Sequence, residues 1–271
     1  MTENKIVAVD LGGTNLRVAL VKNGKILKLV KNKTPKTKQA LLNVMVDSIS
    51  QVMDKNVKGI GVGSPGPLKD GIIKNTPNLP LKNFNLQAFL KKKFKKKVVI
   101  QNDATCVALS EVHYGAKKKN FFILTLGTGI GGGVIIDGKI YTGNGMAGEL
   151  GHIIIHNGKD LENYWQNYRK QCKKCFGKPL RIKELLKMKD PRAMRILREV
   201  TVYLGQGIAS LVDVFDPDVV VLMGGAREAG KTFLDMIKKE YRKYGIIPRN
   251  VPIVWSKIKH PGILGASLLV K

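Results

Sequence analysis

The sequence predicts an α/β protein of two lobes, each a mixed β-sheet flanked by helices. Short apolar runs of strand length alternate along the whole chain with longer segments of helical period. A strand closed by a glycine-rich turn occurs near the start, at Asp10-Leu11-Gly12-Gly13-Thr14, and again near the middle, at Leu126-Gly127-Thr128-Gly129-Ile130-Gly131-Gly132-Gly133. The length of 271 residues accommodates one large domain or two lobes, and the repeated theme favours two.

Taken in order, residues 6–11 form a buried strand, and residues 15–21 and 25–30 follow as strands joined by an Asn23-Gly24 hairpin turn. Residues 38–53 place Leu41, Val44, Met45, Ser48, Ile49 and Val52 at helical spacing. A strand over 58–63 runs into Gly63-Ser64-Pro65-Gly66-Pro67, which neither continues a strand nor starts a stable helix and so makes a loop. A second loop spans 75–80. A lysine-rich helix over 86–94 precedes a strand at 98–101 and a helix at 104–114. The second half opens with strands at 121–126 and 133–136. Helices at 159–168 and 192–214, a strand at 219–223, a helix at 228–244, a strand at 252–255 and a terminal helix from Gly262 complete the reading.

With 44% hydrophobic and 25% charged residues the chain lies in the ordinary globular range, which excludes wholesale disorder and fibrous architectures. No apolar run approaches the roughly 18 residues of a membrane helix, and the N-terminus enters a strand without a signal-peptide core, so a cytoplasmic protein with no membrane partner is expected. Cys106, Cys172 and Cys175 are too few for a disulfide framework. The net charge of +27 is extreme and would attract any polyanion. The lysines are scattered, with dense runs only at 91–97 and 117–119, which reads as solvated faces and not as a specific nucleic-acid surface.

Three glycine-rich turns each follow a buried strand, the third being Gly224-Gly225-Ala226. Backbone amides approach phosphates closely only where side chains are missing, and adjacent threonine hydroxyls add donors. Plain β-turns account for any one of these alone; three on one chain point to phosphate loops. None matches G-x-x-x-x-G-K-S/T, and the glycines after Thr128 lead back into a strand, unlike a dinucleotide fingerprint. Asp10, just before Gly12, Gly13 and Thr14, suits a Mg2+-bound polyphosphate, which makes a nucleoside triphosphate the leading ligand.

In order and spacing, Asp10-Leu11-Gly12-Gly13-Thr14, Gly61-Val62-Gly63-Ser64-Pro65-Gly66-Pro67, Asn102-Asp103-Ala104, the glycine-rich run 126–133 and Gly148-Glu149-Leu150-Gly151-His152 resemble the ROK family of sugar kinases and related repressors. The resemblance covers essentially the whole chain. It implies a two-lobed actin-like ATPase (ribonuclease H-like) fold, an active site in the interdomain cleft, a small domain of residues 1–112 plus 258–271 and a large domain of 113–257. By the same resemblance Asp103 is the general base for a sugar 6-hydroxyl, and Asn78, Asn102, Glu149 and His152 are sugar ligands. Gly12, Gly13, Thr14, Thr128 and Gly129 would hold phosphates of ATP, Gly224 and Gly225 would border the adenosine, and Asp10 would serve Mg2+. From position alone, Asp103 reads equally as a helix N-cap. A homodimer or higher homo-oligomer is implied by resemblance only.

Many family members carry a cysteine segment after the position of His152 that binds a structural zinc with that histidine. This chain lacks the segment, and Glu162 near the rejoined end becomes the candidate for the family's second sugar-binding glutamate. Cys172 and Cys175 have C-x-x-C spacing but lie beyond Glu162 and want further ligands, so structural zinc is not expected. The function implied is an ATP-dependent hexokinase acting on glucose. Kinases for fructose, mannose, N-acetylmannosamine or N-acetylglucosamine are alternatives, because discrimination among sugars depends on loop contacts. A sugar-responsive repressor is a further alternative, disfavoured because only five residues precede Ile6, leaving no room for a helix-turn-helix domain.

Overall fold

The structure, a computed structural model, describes residues 5–66, 68–74, 76, 79–144 and 147–270. The chain divides into two compact units, one of residues 1–117, 142–146 and 258–271, the other of 118–141 and 147–257.

In the first unit, β1 (Lys5–Leu11), β2 (Asn15–Lys22) and β3 (Lys25–Lys33) form an antiparallel meander. Asn23 and Gly24 both have positive φ at the β2–β3 turn, as its Asn-Gly sequence requires. Helix α1 (Lys38–Val52) starts where Thr37 caps the Ala40 amide. It leads to β4 (Val57–Ser64), then to the short strands β5 (Leu68–Lys69), β6 (Ile72–Ile73) and β7 (Phe84–Asn85). Helix α2 (Leu86–Phe94), β8 (Lys97–Asn102) and α3 (Asp103–Tyr114) follow. The sheet order is β3-β2-β1-β4-β8, with β1, β4 and β8 parallel.

The second unit repeats this topology. Strands β9 (Phe121–Leu126), β10 (Ile130–Ile136) and β11 (Lys139–Tyr141) form the meander. A one-turn 3-10 helix, Leu150–His152, precedes the small hairpin β12 (Ile154–His156) and β13 (Lys159–Asp160). Helices α4 (Leu161–Phe176), α5 (Ile182–Lys187) and α6 (Pro191–Phe215) lead to β14 (Val219–Met223), a 3-10 turn at Gly225–Ala229, α7 (Gly230–Tyr241) and β15 (Ile253–Trp255). The order β11-β10-β9-β14-β15 matches that of the first sheet, with β9, β14 and β15 parallel. Phe122, Leu124 and Leu126 of β9 pack with Trp165, Leu197, Ile208 and Phe233 from the helices into one core. The chain then returns to the first unit as α8 (Pro261–Ser267).

The first sheet has two different faces. Val7, Val9 and Leu11 point into the core that includes Leu41, Met45, Ile49 and Leu90, whereas Ala8 belongs with Cys106, Ile263 and Ala266 on the other side. On β4 that second side is all glycine: a Cβ on Gly61 would lie 1.9 Å from the Ala266 carbonyl oxygen, and one on Gly63 3.2 Å from Cys106 Sγ. The two-residue period of the strand puts Gly59, Gly61 and Gly63 on one face, so that α3 and α8 come down on bare backbone.

Several boundaries differ from the sequence reading, for local reasons. The helix expected from 159 begins at Leu161 because Asp160 caps it, and extends to Phe176, where Gly177 at φ 74° ends it. The helix expected from 228 starts at Gly230, after the 3-10 turn. β11, β12, β13 and α5 are too short to show a period in the sequence. No helix among the described residues is long and apolar enough to cross a membrane.

Candidate active site

In the first unit, Asp10, Gly63 and Asn102 lie at the carboxyl ends of three adjacent parallel strands. Asp10 is in register with Gly63 across β1 and β4, and Ser64 with Asn102 across β4 and β8. This edge is where α/β sheets place their ligands. The turn after β1 is closed by the Gly12 amide donating to the Asn15 carbonyl at 2.9 Å, and by Thr34 Oγ1 donating to the Gly12 carbonyl at 2.6 Å. Arg17, opposite Asp10 on β2, donates from Nη1 to Asp10 Oδ2 at 2.9 Å. The Asp10 carboxylate also rests against Gly262 of α8, where a Cβ would come within 2.9 Å of its Cγ.

Asn102, not Asp103, caps α3. Its Oδ1 accepts from the amides of Ala104 at 2.9 Å and Thr105 at 3.2 Å, while Asp103 is the first helical residue. The N-cap alternative for Asp103 is thereby corrected, the residue before it having the extended backbone and the reach of a cap. Asp103 Oδ1 accepts from the Ala104 amide at 2.8 Å, which holds the carboxylate at the positive end of a 12-residue helix. Asn78 lies outside the described residues. Behind this edge, burial pushes the Cys106 thiol well above the usual thiol range, with the charges of Asp103 and Asp10 adding to the shift.

In the second unit, β9 and β10 are joined by Gly127, Thr128 and Gly129, with Leu126 paired to Ile130. The loop is gripped by one face of α4. Trp165 Nε1 donates to the Gly127 carbonyl at 3.0 Å, Gln166 Nε2 to that of Thr128 at 2.7 Å, and Arg169 Nη1 to both, at 3.1 and 3.0 Å. Glu162 accepts from the Ile130 amide through Oε2 and from Gln166 Nε2 through Oε1 at 2.7 Å. Both carboxylate oxygens of Glu162 are thus engaged at the glycine loop.

Two close approaches bring the segment that carries Glu149 and His152 to β10. A Cβ on Gly132 would lie 2.4 Å from the Gly148 carbonyl oxygen, and one on Gly151 2.4 Å from that of Ile130. Glu149 and His152 flank the intervening turn, both exposed, with the His152 amide donating to the Glu149 carbonyl at 3.0 Å. Gly224, at φ 91°, sits where a Cβ would be 2.5 Å from the Leu126 carbonyl oxygen, so the 224–225 pair adjoins the glycine loop; nothing lies within 4 Å of a Cβ on Gly225.

His152 Nδ1 lies 2.8 Å from Asp160 Oδ2. This hydrogen bond raises the imidazole pKa; burial opposes it, and the charges of Asp160, Glu149 and Glu162 add to it. Asp160, Trp165, Gln166 and Arg169 escaped the sequence reading. The signals for them are an Asp-x-x-Asn capping pattern at 160–163 and the helical spacing of 162, 165, 166 and 169. Cys172 is buried in the core, and that burial raises its thiol pKa. Among the described residues no group of three or more His, Cys, Asp or Glu side chains is arranged to hold a metal ion.

Comparison with known proteins accords with these features. The model of the ROK family matches residues 6–271. A glucokinase of Thermotoga maritima is 31% identical over an alignment covering 100% of this chain and 98% of that protein. Among solved structures, a ROK family glucokinase from Streptomyces griseus in complex with glucose and AMPPNP is 26% identical, with a TM-score of 0.86 over 98% of this chain and 99% of that one. A ROK hexokinase from Thermus thermophilus is 30% identical, with a TM-score of 0.85 over 98% of this chain and 97% of that one. The α/β actin-like ATPase fold implied by the motifs is the fold these proteins share. With a family model matched from Ile6 to the last residue and motifs that fall at the strand ends and turns just described, the chain belongs to the ROK family.

Proposed function

We propose that this protein is an ATP-dependent hexokinase that transfers the γ-phosphoryl group to the 6-hydroxyl of glucose, with Asp103 as general base. The observation that carries this reading is the placement of Asp103 beside the sheet's carboxyl edge, its carboxylate held by the Ala104 amide while Asn102 does the capping. A sugar hydroxyl is a poor nucleophile near neutral pH, and a positioned proton acceptor contributes about 10² to 10⁴ in rate. Asp103 accepts the proton as the hydroxyl oxygen attacks phosphorus in line, its carboxylate held at the helix terminus by the Ala104 amide.

Glu149 and His152 hold sugar hydroxyls in this reading, and Asn102 contributes its amide nitrogen, its oxygen being committed to the cap. Glu162 is the second sugar-binding glutamate in this reading, and it also holds the loop at the Ile130 amide. Gly12, Gly13 and Thr14, with Thr128 and Gly129, receive phosphates, and Gly224 with the open Gly225 borders the adenosine. Mg2+ fits the donor set: a single carboxylate, Asp10, stands beside a glycine turn, which suits an ion bound mainly by phosphate oxygens and water. When bound, the ion neutralises charge developing on the phosphates. We also read the protein as a homodimer or higher homo-oligomer, which sedimentation velocity tests.

A panel of sugars in a coupled ADP-release assay tests the activity. Glucose should give the highest kcat/KM, with N-acetylmannosamine, N-acetylglucosamine, fructose and mannose well below it. Turnover of another sugar above glucose would overturn the substrate assignment, and no sugar-dependent ADP release with any of them would overturn the kinase reading.

A further inference from the structure

One carboxylate in the second unit does two things at once. Asp160 Oδ1 accepts from the Asn163 amide at 2.7 Å, and its own amide donates to Asn163 Oδ1 at 3.4 Å, which completes a capping box at the start of α4. The other oxygen, Oδ2, lies 2.8 Å from His152 Nδ1. The Asp160 side chain is 17% exposed and that of His152 59% exposed. The aspartate is therefore the fixed partner, and the imidazole is anchored along one edge and open along the other.

An ionised carboxylate only accepts hydrogen bonds, so the proton on the neutral ring must sit on Nδ1, and Nε2 is left as an acceptor. The same helix reaches the glycine loop through Glu162, Trp165, Gln166 and Arg169. Histidine and loop are thus fastened to the first three turns of α4, one through Asp160 and the other through the face that follows it.

We propose that Asp160 is a positioning residue that fixes the tautomer and orientation of His152, and that α4 thereby holds this imidazole in constant relation to the glycine loop 127–130. The proposal rests on the reading of His152 as a sugar ligand. With Nδ1 committed, Nε2 receives a hydrogen bond from a sugar hydroxyl and needs no reorientation when the sugar arrives. The Asp160 carboxylate also raises the His152 pKa, as expected of an acceptor fixed on the ring.

Asp160→Asn separates positioning from capping. Asparagine caps helices as well as aspartate, so the Asn163 amide keeps its partner. Its single oxygen is then occupied, and the amide nitrogen faces His152 Nδ1 as a donor, which drives the ring proton to Nε2. The expected result is a rise of about tenfold in KM for glucose, the scale of one hydrogen bond, with KM for ATP, kcat and melting temperature close to wild type. Long-range 15N–1H correlations of the imidazole should show the proton moving from Nδ1 to Nε2. His152→Ala should raise KM for glucose by a comparable factor, with no further rise in the double variant.

An unchanged KM for glucose in Asp160→Asn beside a raised one in His152→Ala overturns the positioning role alone. So does an unmoved ring proton, or a parallel rise in both KM values with a lowered melting temperature, the mark of a merely structural residue. An unchanged KM for glucose in His152→Ala overturns the reading of His152 as a sugar ligand, and the role of Asp160 with it.

Discussion

Replacing Asp103 by asparagine isolates proton acceptance from every other property of the site. The variant keeps the side-chain oxygen that accepts from the Ala104 amide at 2.8 Å, and it leaves untouched the Asn102 oxygen that caps α3 at 2.9 and 3.2 Å. The structural cost at the helix terminus is the interaction of one negative charge with the helix dipole, about 0.3–1 kcal/mol. The catalytic cost is the whole contribution of general base catalysis, about 10² to 10⁴ in kcat, or roughly 2.7–5.4 kcal/mol at about 1.36 kcal/mol per decade. The two differ enough to be told apart in one set of measurements. ADP release at saturating glucose and ATP should fall by at least about a hundredfold, while calorimetric affinity for a non-hydrolysable ATP analogue stays near wild type and the melting temperature shifts only slightly. If Asp103 mattered chiefly to the helix, the melting temperature would fall and turnover would survive. Turnover within a few-fold of wild type would refute the assignment of Asp103 as the base.

Gly265→Ala should destabilise the first unit by about 1–3 kcal/mol or more, because its Cβ would lie 1.6 Å from the Cys106 carbonyl oxygen, and backbone cannot yield as a side chain can; denaturant titration measures the loss, and a wild-type midpoint would contradict the packing described. Stability should also depend on His152. Its pKa is raised in the folded state, chiefly by the hydrogen bond to Asp160, so the charge-linked part of the pair's contribution is full below the ordinary histidine value of about 6.5 and is lost as pH rises through the folded-state value, while the neutral ring keeps its Nδ1 hydrogen bond. The stability difference between wild type and His152→Ala, followed by thermal melts from pH 5 to 9, should therefore shrink as pH increases; a difference that grows with pH would show that the sign is wrong.

Much of the candidate site was legible because its pieces are local. A glycine-rich turn after an apolar run marks a strand end whatever surrounds it, and Asp10, Gly12, Thr128 and Gly224 all sit within about two residues of strand ends in the structure. Asn102 and Asp103 were legible as a strand-to-helix junction, but which of them caps the helix was not. Either side chain can reach the first amides, and the choice depends on which residue leaves β8 with extended backbone. The repeated strand order of the two units also follows from a repetition visible in the sequence.

By itself, then, the sequence determined the alternation of strands and helices, the glycine turns and the family, because each depends on residues a few positions apart. Tertiary structure alone decided what those turns rest on. The grip of α4 on the glycine loop joins residues about forty positions apart, as in Arg169 to Gly127, and the contact of Asp10 with Gly262 closes nearly the whole chain. The glycines of β4 make the same point: the sequence reads 58–63 simply as a strand, and only the descent of α3 and α8 onto Gly61 and Gly63 explains why no side chain is there. Periodicity reports which side of an element is buried, whereas the partner that buries it is chosen by packing across the folded chain.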